Sequence, residues 1–134
     1  MKTPSEAVVA FIRAHHAWET AANDRAKPLR CSNSAEYQAT MNLASREYRE
    51  LISRFCTASV EPQGITFGDE GMHDPEREIV ESVSIAGQSA IVRTKHVGLH
   101  DFVSVYEYHL VQEADEWRVA SLLYVDEEGK YECL

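Results

Sequence analysis

The sequence predicts an α+β domain, with two N-terminal helices packed against a curved antiparallel sheet. Three patterns say so. Apolar residues recur every three or four positions through the first 56 residues, which is helical spacing. From residue 77 onward they alternate with polar ones, in runs rich in β-branched and aromatic residues, which is strand spacing. Between the two lies a stretch without period, residues 59–75, holding three glycines and two prolines. The 134 residues, 44% hydrophobic and 26% charged, suffice for one domain (1–134) and are too few for two.

The first helix is expected at about 4–24. Thr3 caps it, Pro4 fits its first position and Glu6 completes a capping box. Val8, Phe11, Ile12, His15, Trp18, Glu19 and Ala22 form one stripe, apolar at the start and polar-aromatic toward the end. Pro28 stops this helix, and a basic connection follows. The second helix is expected at about 34–56, capped by Asn33 or Ser34, with Tyr37, Met41, Ala44, Tyr48, Leu51, Ile52 and Phe55 on its inner face. A long loop covers 57–76, in which Ile65 to Phe67 form at most a short edge strand. Strands are expected at about 77–86, 89–97, 102–112 and 116–125, with a turn at Gly87-Gln88 and a last short strand through Tyr131. Residues 102–125 form the central hairpin. One face of its first strand carries Phe102, Ser104, Tyr106, Tyr108 and Leu110, and the other carries Val103, Val105, Glu107, His109 and Val111. Both faces are partly apolar, so cover on both sides is expected. In the second strand, Trp117, Val119, Ser121, Leu123 and Val125 alternate with Arg118, Ala120, Leu122 and Tyr124; in the strand before the Gly87 turn, Ile79, Glu81, Val83 and Ile85 share a face.

Composition narrows the function classes. No apolar run is long enough to span a bilayer, and Arg13, His15 and His16 interrupt the N-terminal apolar stretch, so neither membrane insertion nor a signal peptide is expected. Cys31, Cys56 and Cys133 match no zinc or redox spacing, which fits reduced thiols in a cytoplasm. The net charge is −9. Residues 1–64 carry eight Lys/Arg against seven Asp/Glu, and residues 65–134 carry five against fifteen. The sheet half therefore repels nucleic acid and anionic membranes and attracts basic partners.

Two kinds of candidate site follow from the residues. The first is chemical. His15 and Glu19 stand four apart on the first helix, and Glu107 and His109 two apart on one strand face; either pair has the residue types of an acid-base pair. Trp18, Tyr37, Tyr106 and Tyr108 would line the pocket in that case. If the tyrosine face points inward, rings fill the interior instead. His15, Glu19, His100 and His109 do not have metal-ligand spacing, and no metal or cofactor is expected. The second kind is a protein-binding surface made of exposed acids: Asp69, Glu70, Asp74 and Glu76 in the long loop, Glu113, Asp115 and Glu116 in the hairpin turn, and Asp126, Glu127 and Glu128 after the last long strand. Glu78 belongs to the same acidic stretch. The 113–116 and 126–128 turns leave opposite ends of that strand.

The whole layout resembles the NTF2-like superfamily, and within it the NTF2 fold immunity proteins of bacterial polymorphic toxin systems. The resemblance is carried by Ala7, Val8, Phe11, Ile12, Trp18 and Glu19, by the run from Tyr48 to Phe55 with Cys56 and Thr57, and by the Gly/Pro-rich segment 62–75. The strand opening at Glu78 to Val83 and Trp117-Arg118-Val119 complete it. It implies a cone-shaped fold and a cytoplasmic bacterial protein that binds and neutralises a cognate toxin domain, often a nuclease, by occlusion and without catalysis. The same superfamily includes ketosteroid isomerase-like and dehydratase-like enzymes and small-ligand binders, which act through groups inside the cone. This chain lacks an aspartate within an apolar strand run, where such isomerases carry one. A homodimer through a sheet face is a third reading.

Overall fold

The computed structural model describes residues 2–31, 34–68 and 71–134. Asn33, Asp69 and Glu70 lie outside them. Helix α1 spans Pro4–Ala26 and helix α2 Ala35–Phe55, and a five-stranded sheet follows: β1 Glu78–Ala86, β2 Ser89–Val97, β3 Val103–Glu113, β4 Glu116–Val125 and β5 Lys130–Glu132. The strands lie in the order β1-β2-β3-β4-β5, all antiparallel, as an open meander.

Local chemistry explains the helix ends. The Glu6 amide donates to Thr3 Oγ1 and the Thr3 amide donates to Glu6 Oε1, which satisfies two of the free donors of the first turn. Ser34 accepts from the Tyr37 amide in the same way. At the other end of α2, the Arg118 guanidinium on β4 donates to the carbonyls of Ser53, Arg54 and Cys56, which complements the negative end of the helix dipole. Residues 65–67 remain irregular and form no strand. Phe67 is held instead by its ring contact with Trp18 at 6.0 Å.

Helix α1 is the layer between. It packs on β1, β2 and β4 through one stripe and on α2 through another. Val8, Phe11, Ile12 and Ala22 of α1, Tyr48 and Ile52 of α2, and Val92, Tyr108, Leu110, Val119 and Leu122 of the sheet make one continuous core. The Trp18 indole N–H donates to the Ala44 carbonyl at 2.9 Å and pins the two helices together. The tyrosine face of β3 is the inner face, and Glu107 and His109 point to the uncovered outer side.

Two irregularities change the alternation expected from the sequence. Pairing shifts between Val80 and Ser82 on β1, so Ile79 sits opposite Lys95 on the outer face while Val83 and Ile85 sit opposite Val92 and Ala90 on the inner one. It shifts again where Leu110 meets Val119, so Val119, Leu122 and Tyr124 face inward and Ser121, Leu123 and Val125 outward. A strand with a strict period of two cannot do this, and one extra residue in a bulge does.

The β3–β4 turn places both Ala114 (φ 50°) and Asp115 (φ 63°) in the left-handed region. That is the backbone of a two-residue hairpin turn in which Asn-Gly is preferred, because L-residues resist it. Replacing Ala114→Asn together with Asp115→Gly should raise stability by roughly 1 kcal/mol in urea denaturation. A loss of stability would show that the turn carries no such strain.

Candidate functional site

Polar chemistry concentrates where α1 crosses the sheet. The 3.6-residue period puts His15, Trp18 and Glu19 on the buried side of α1. The irregular segment before β1 brings His73 against them, and the His16 ring donates from Nδ1 to the His73 carbonyl at 3.1 Å, fixing that segment. Glu78 opens β1 on the inner face. Thr94 on β2 and Tyr106 and Tyr108 on β3 lie beside it in register.

These groups form one buried network centred on the Glu78 carboxylate. His73 Nδ1 donates to Oε1 at 2.6 Å; Thr94 Oγ1 and Tyr108 Oη donate to Oε2 at 2.6 and 2.7 Å. A carboxylate only accepts, so Nδ1 must carry the proton, which it shares with Tyr108 Oη at 3.0 Å. Burial pushes the Glu78 carboxyl up, but the hydrogen bond and charge of His73 and the hydroxyls of Thr94 and Tyr108 outweigh it and leave it below the ordinary carboxylate range. The Tyr108 hydroxyl is driven well above its usual value by burial and by the Glu78 charge. The side chains of His73 and Glu78 are wholly closed to solvent.

Around this centre the interior is filled with rings. His15 meets His73 edge-on with ring centroids 4.8 Å apart, and Phe11, Trp18, Tyr48 and Tyr106 close the shell. His15 Nδ1 and His73 Nε2 are buried without a hydrogen-bond partner. Burial, then the neighbouring His73 and His16, lower the His15 pKa to about 3, so it is neutral at physiological pH. Glu19 accepts from the Met72 amide at 2.7 Å. Burial raises its carboxyl, and that amide opposes the shift in part. A Cβ on residue 71 would stand 2.5 Å from Glu19 Oε1, so a side chain there would push the Glu19 carboxylate from its place.

A cleft of 550 Å³ opens above this interior, lined by His15, Trp18, Glu19, Tyr48, Met72 and the 63–68 and 132–134 segments. A larger groove of 750 Å³ lies away from it, between the start of α1, the end of α2 and Arg118.

The sequence candidates divide accordingly. His15, Trp18 and Glu19 line the cleft, with Tyr106 and Tyr108 beneath them in the core; Tyr37 is half-buried in the first turn of α2 and takes no part. His15 and Glu19 are neighbours of one network rather than a hydrogen-bonded pair. Glu107 and His109 cannot join them, because the inward tyrosines send both to the opposite face. There Arg93 at 2.5 Å, Lys130 at 3.0 Å and His109 at 3.2 Å surround the Glu107 carboxylate. Burial alone would raise its pKa; those neighbours hold it at about 2. Glu78 lies inside and does not join the surface acids. Sequence reasoning missed His73, Glu78 and Thr94 as a unit. The available signal was the alternation of Glu78 with Val80 at the head of a strand, which places a carboxylate on an apolar face and demands donors for it. Among the described residues, no three metal-ligating side chains converge.

The exposed acids remain at the surface in two places. Glu113, Asp115 and Glu116 decorate the β3–β4 turn. The start of β1, the β2–β3 connection and the end of β4 all lie at the opposite end of the sheet. This follows from the pairing of Glu78 with His96, Val97 with Val103 and Val105 with Val125. Asp74, Glu76, Asp101, Asp126, Glu127 and Glu128 therefore gather at that end, where the cations Arg77, 3.7 Å from Asp74, Lys95, opposite Ile79, and Lys130, opposite Val125, also lie.

No described helix is long and apolar enough to cross a membrane. Comparison with family models, curated proteins and solved structures gives no match.

The buried histidine sets a pH dependence. A histidine with a lowered folded pKa destabilises the fold as pH drops below its unfolded value, because only the unfolded chain takes up the proton. From pH 6.5 down toward 3, His15 should therefore cost at most ~1.4 kcal/mol per unit. Between pH 7 and pH 5 in urea denaturation, the wild type should lose about 2 kcal/mol more than His15→Gln. Glu19 titrates in both proteins and cancels from the comparison. Parallel losses would mean that His15 is not neutral in the fold.

Proposed function

We propose that this chain is an NTF2-like immunity protein, which binds a basic toxin domain in the cytoplasm and neutralises it by stoichiometric occlusion. The observation that carries this reading is the gathering of acids from three separate loops at one end of the sheet. That end presents a concentrated negative field to a partner, of the kind that speeds association with a basic surface and covers a cationic active site. The interior supports the same reading. Its carboxylate, hydroxyls and one imidazole nitrogen are engaged with each other and closed off, which makes them parts of a rigid scaffold.

The test is direct binding of the purified chain to the C-terminal domain of the protein encoded immediately upstream, at low and high salt. A tight complex that silences a toxic activity is expected, with an association rate falling at least tenfold between 50 and 500 mM salt, as steered encounters do. The triple variant Asp126→Asn, Glu127→Gln, Glu128→Gln should slow association and flatten the salt dependence. Wild-type kinetics in that variant would remove this end of the sheet from the interface.

One observation favours a second reading, a small-ligand binder or enzyme of the isomerase-like or dehydratase-like kind. The cleft contains His15, whose Nδ1 is buried without a partner, beside the Glu19 carboxylate. Such a ligand would raise the melting temperature by mass action. A thermal-shift screen of polar aromatic compounds should then give hits that Trp18→Ala abolishes; a screen without hits counts against this reading.

A further inference from the structure

The two edges of the sheet are not alike. At one edge β5 is three residues long and carries Lys130 and Glu132, which is how proteins guard an edge against pairing. At the other, β1 is nine residues long. Its acidic start is interrupted by the bulge between Val80 and Ser82, but the register with β2 is unbroken over residues 82–86. That stretch reads Ser-Val-Ser-Ile-Ala, without charge, proline or glycine. Every side chain from 81 to 86 is exposed, and among the described residues β2 is the only strand paired with β1. Val83 is 41% and Ile85 58% exposed, two residues apart on the inner face. An unguarded edge of this kind is a template for another strand.

The hairpin turn fixes which backbone groups face outward. Gly87-Gln88 is a two-residue turn, with Gly87 in the left-handed region (φ 63°) and Ala86 directly opposite Ser89. The residues that flank such a turn exchange hydrogen bonds, and along an antiparallel ladder bonded and non-bonded pairs alternate. Ala86, Ser84 and Ser82 therefore direct their amides and carbonyls to β2. Those of Ile85 and Val83 point away from β2, to the free edge. The same two residues thus offer both the unpaired backbone groups and the exposed apolar side chains.

The sequence of the edge selects its occupant. Two copies of residues 82–86 in antiparallel register about Ser84 set Val83 of one against Ile85 of the other. Outward amides then meet outward carbonyls, and the apolar side chains form cross-strand pairs. Glu81, the only charge between 79 and 88, falls beside the uncharged Gly87-Gln88 turn of the second copy. On β2, Arg93 opposite Ser82 is engaged with Glu107, and Lys95 stands opposite Ile79, beyond the paired stretch. Glu78 is inside the domain. A strand from a charged partner would find no counter-charge on 82–86. The two-fold axis stands perpendicular to the sheet and puts both helix layers on one side. There α1 leaves Val83 and Ile85 exposed, so it does not overhang the edge. The loop ends that carry Asp74, Glu76, Asp101 and residues 126–128 point in opposite directions, and Glu113, Asp115 and Glu116 lie two strands from the edge.

We propose that the chain forms a two-fold symmetric dimer by antiparallel pairing of the β1 edges over residues 82–86, joining the two sheets into one. This goes beyond the immunity reading and does not depend on it, because the acidic loop end of each copy stays uncovered. The paired stretch is short, so a dissociation constant on the order of 10–100 µM is expected. Each copy carries a net charge of −9, so two copies repel at long range and salt should tighten the dimer, whereas salt weakens a complex with a basic partner.

The experiment is sedimentation equilibrium of the full chain from about 5 to about 500 µM, at low and high salt. Wild type should dimerise, and more tightly at high salt. Val83→Pro removes an outward amide that β2 does not use, a place where an edge strand tolerates proline. Ile85→Lys sets a cation among apolar partners, the usual way to block an edge. Each should weaken the dimer at least tenfold, while Phe102→Ala, at an exposed apolar residue away from the edge, should match wild type. Because Ile85 is exposed, its substitution removes no core packing and decides the matter even if Val83→Pro fails to fold. Wild type that stays monomeric throughout overturns the proposal. So does a wild-type dimer that a folded edge variant weakens less than tenfold, that Phe102→Ala weakens as much, or that high salt weakens; each would assign the contact to another surface.

Discussion

A carboxylate buried without partners would cost a small domain much of its stability, and the Glu78 network shows why it does not do so here. Moving an ionised carboxyl out of water costs several kcal/mol even after relaxation, and the cost is recovered only with good geometry at both oxygens. Glu78 meets that condition with one imidazole and two hydroxyl donors at 2.6–2.7 Å. Those donors come from the segment before β1, from β2 and from β3. Satisfying one side chain therefore fixes the register of three strands and the path of a segment that has no secondary structure of its own. In turn His73 packs against His15 and Phe11 of α1, so the helix layer is seated on the same group.

Glu107 is the informative contrast. It is also a carboxylate on a central strand, but on the outer face, where Arg93 and Lys130 supply formal positive charge and the His109 ring lies alongside. The inner carboxylate is balanced by one imidazole first and then by two hydroxyl donors in a dry interior, the outer one by long cationic side chains at the edge of solvent. The same residue type thus supports the fold on one face and holds a surface ion cluster on the other. Only the inner one is placed where its loss would leave several buried donors unsatisfied.

This separation of faces shapes the functional reading. With the Glu78 carboxylate and its donors turned inward and paired, the space between α1 and the sheet is mostly a packed ring cluster with a cleft at its mouth. The loop end of the sheet and the free β1 edge carry the opposite features: acids from three connections, exposed apolar side chains and unpaired backbone groups. Chemistry available to a partner lies mostly there. The cleft at His15 is the exception, and it is the reason a ligand-binding reading retains physical support.

By itself, the sequence determined the parts and their order. Capping residues at Thr3 and Ser34, the stripe from Val8 to Ala22, the turn glycine at 87 and the alternation in 102–111 act over a few residues, and helix and strand limits followed from them to within a residue or two. The polar-aromatic stripe of His15, Trp18 and Glu19 was legible for the same reason, since helical spacing alone puts those side chains on one face. Only the tertiary structure decided which strand face is the inside, because a single extra residue at each of two bulges inverts the side-chain alternation beyond it. It also decided that His73 meets Glu78, Thr94, Tyr108 and His15, and that acids distant in sequence share one end of the sheet. Those encounters depend on the path of a segment without period and on strand pairing across the whole domain, and no local propensity encodes either.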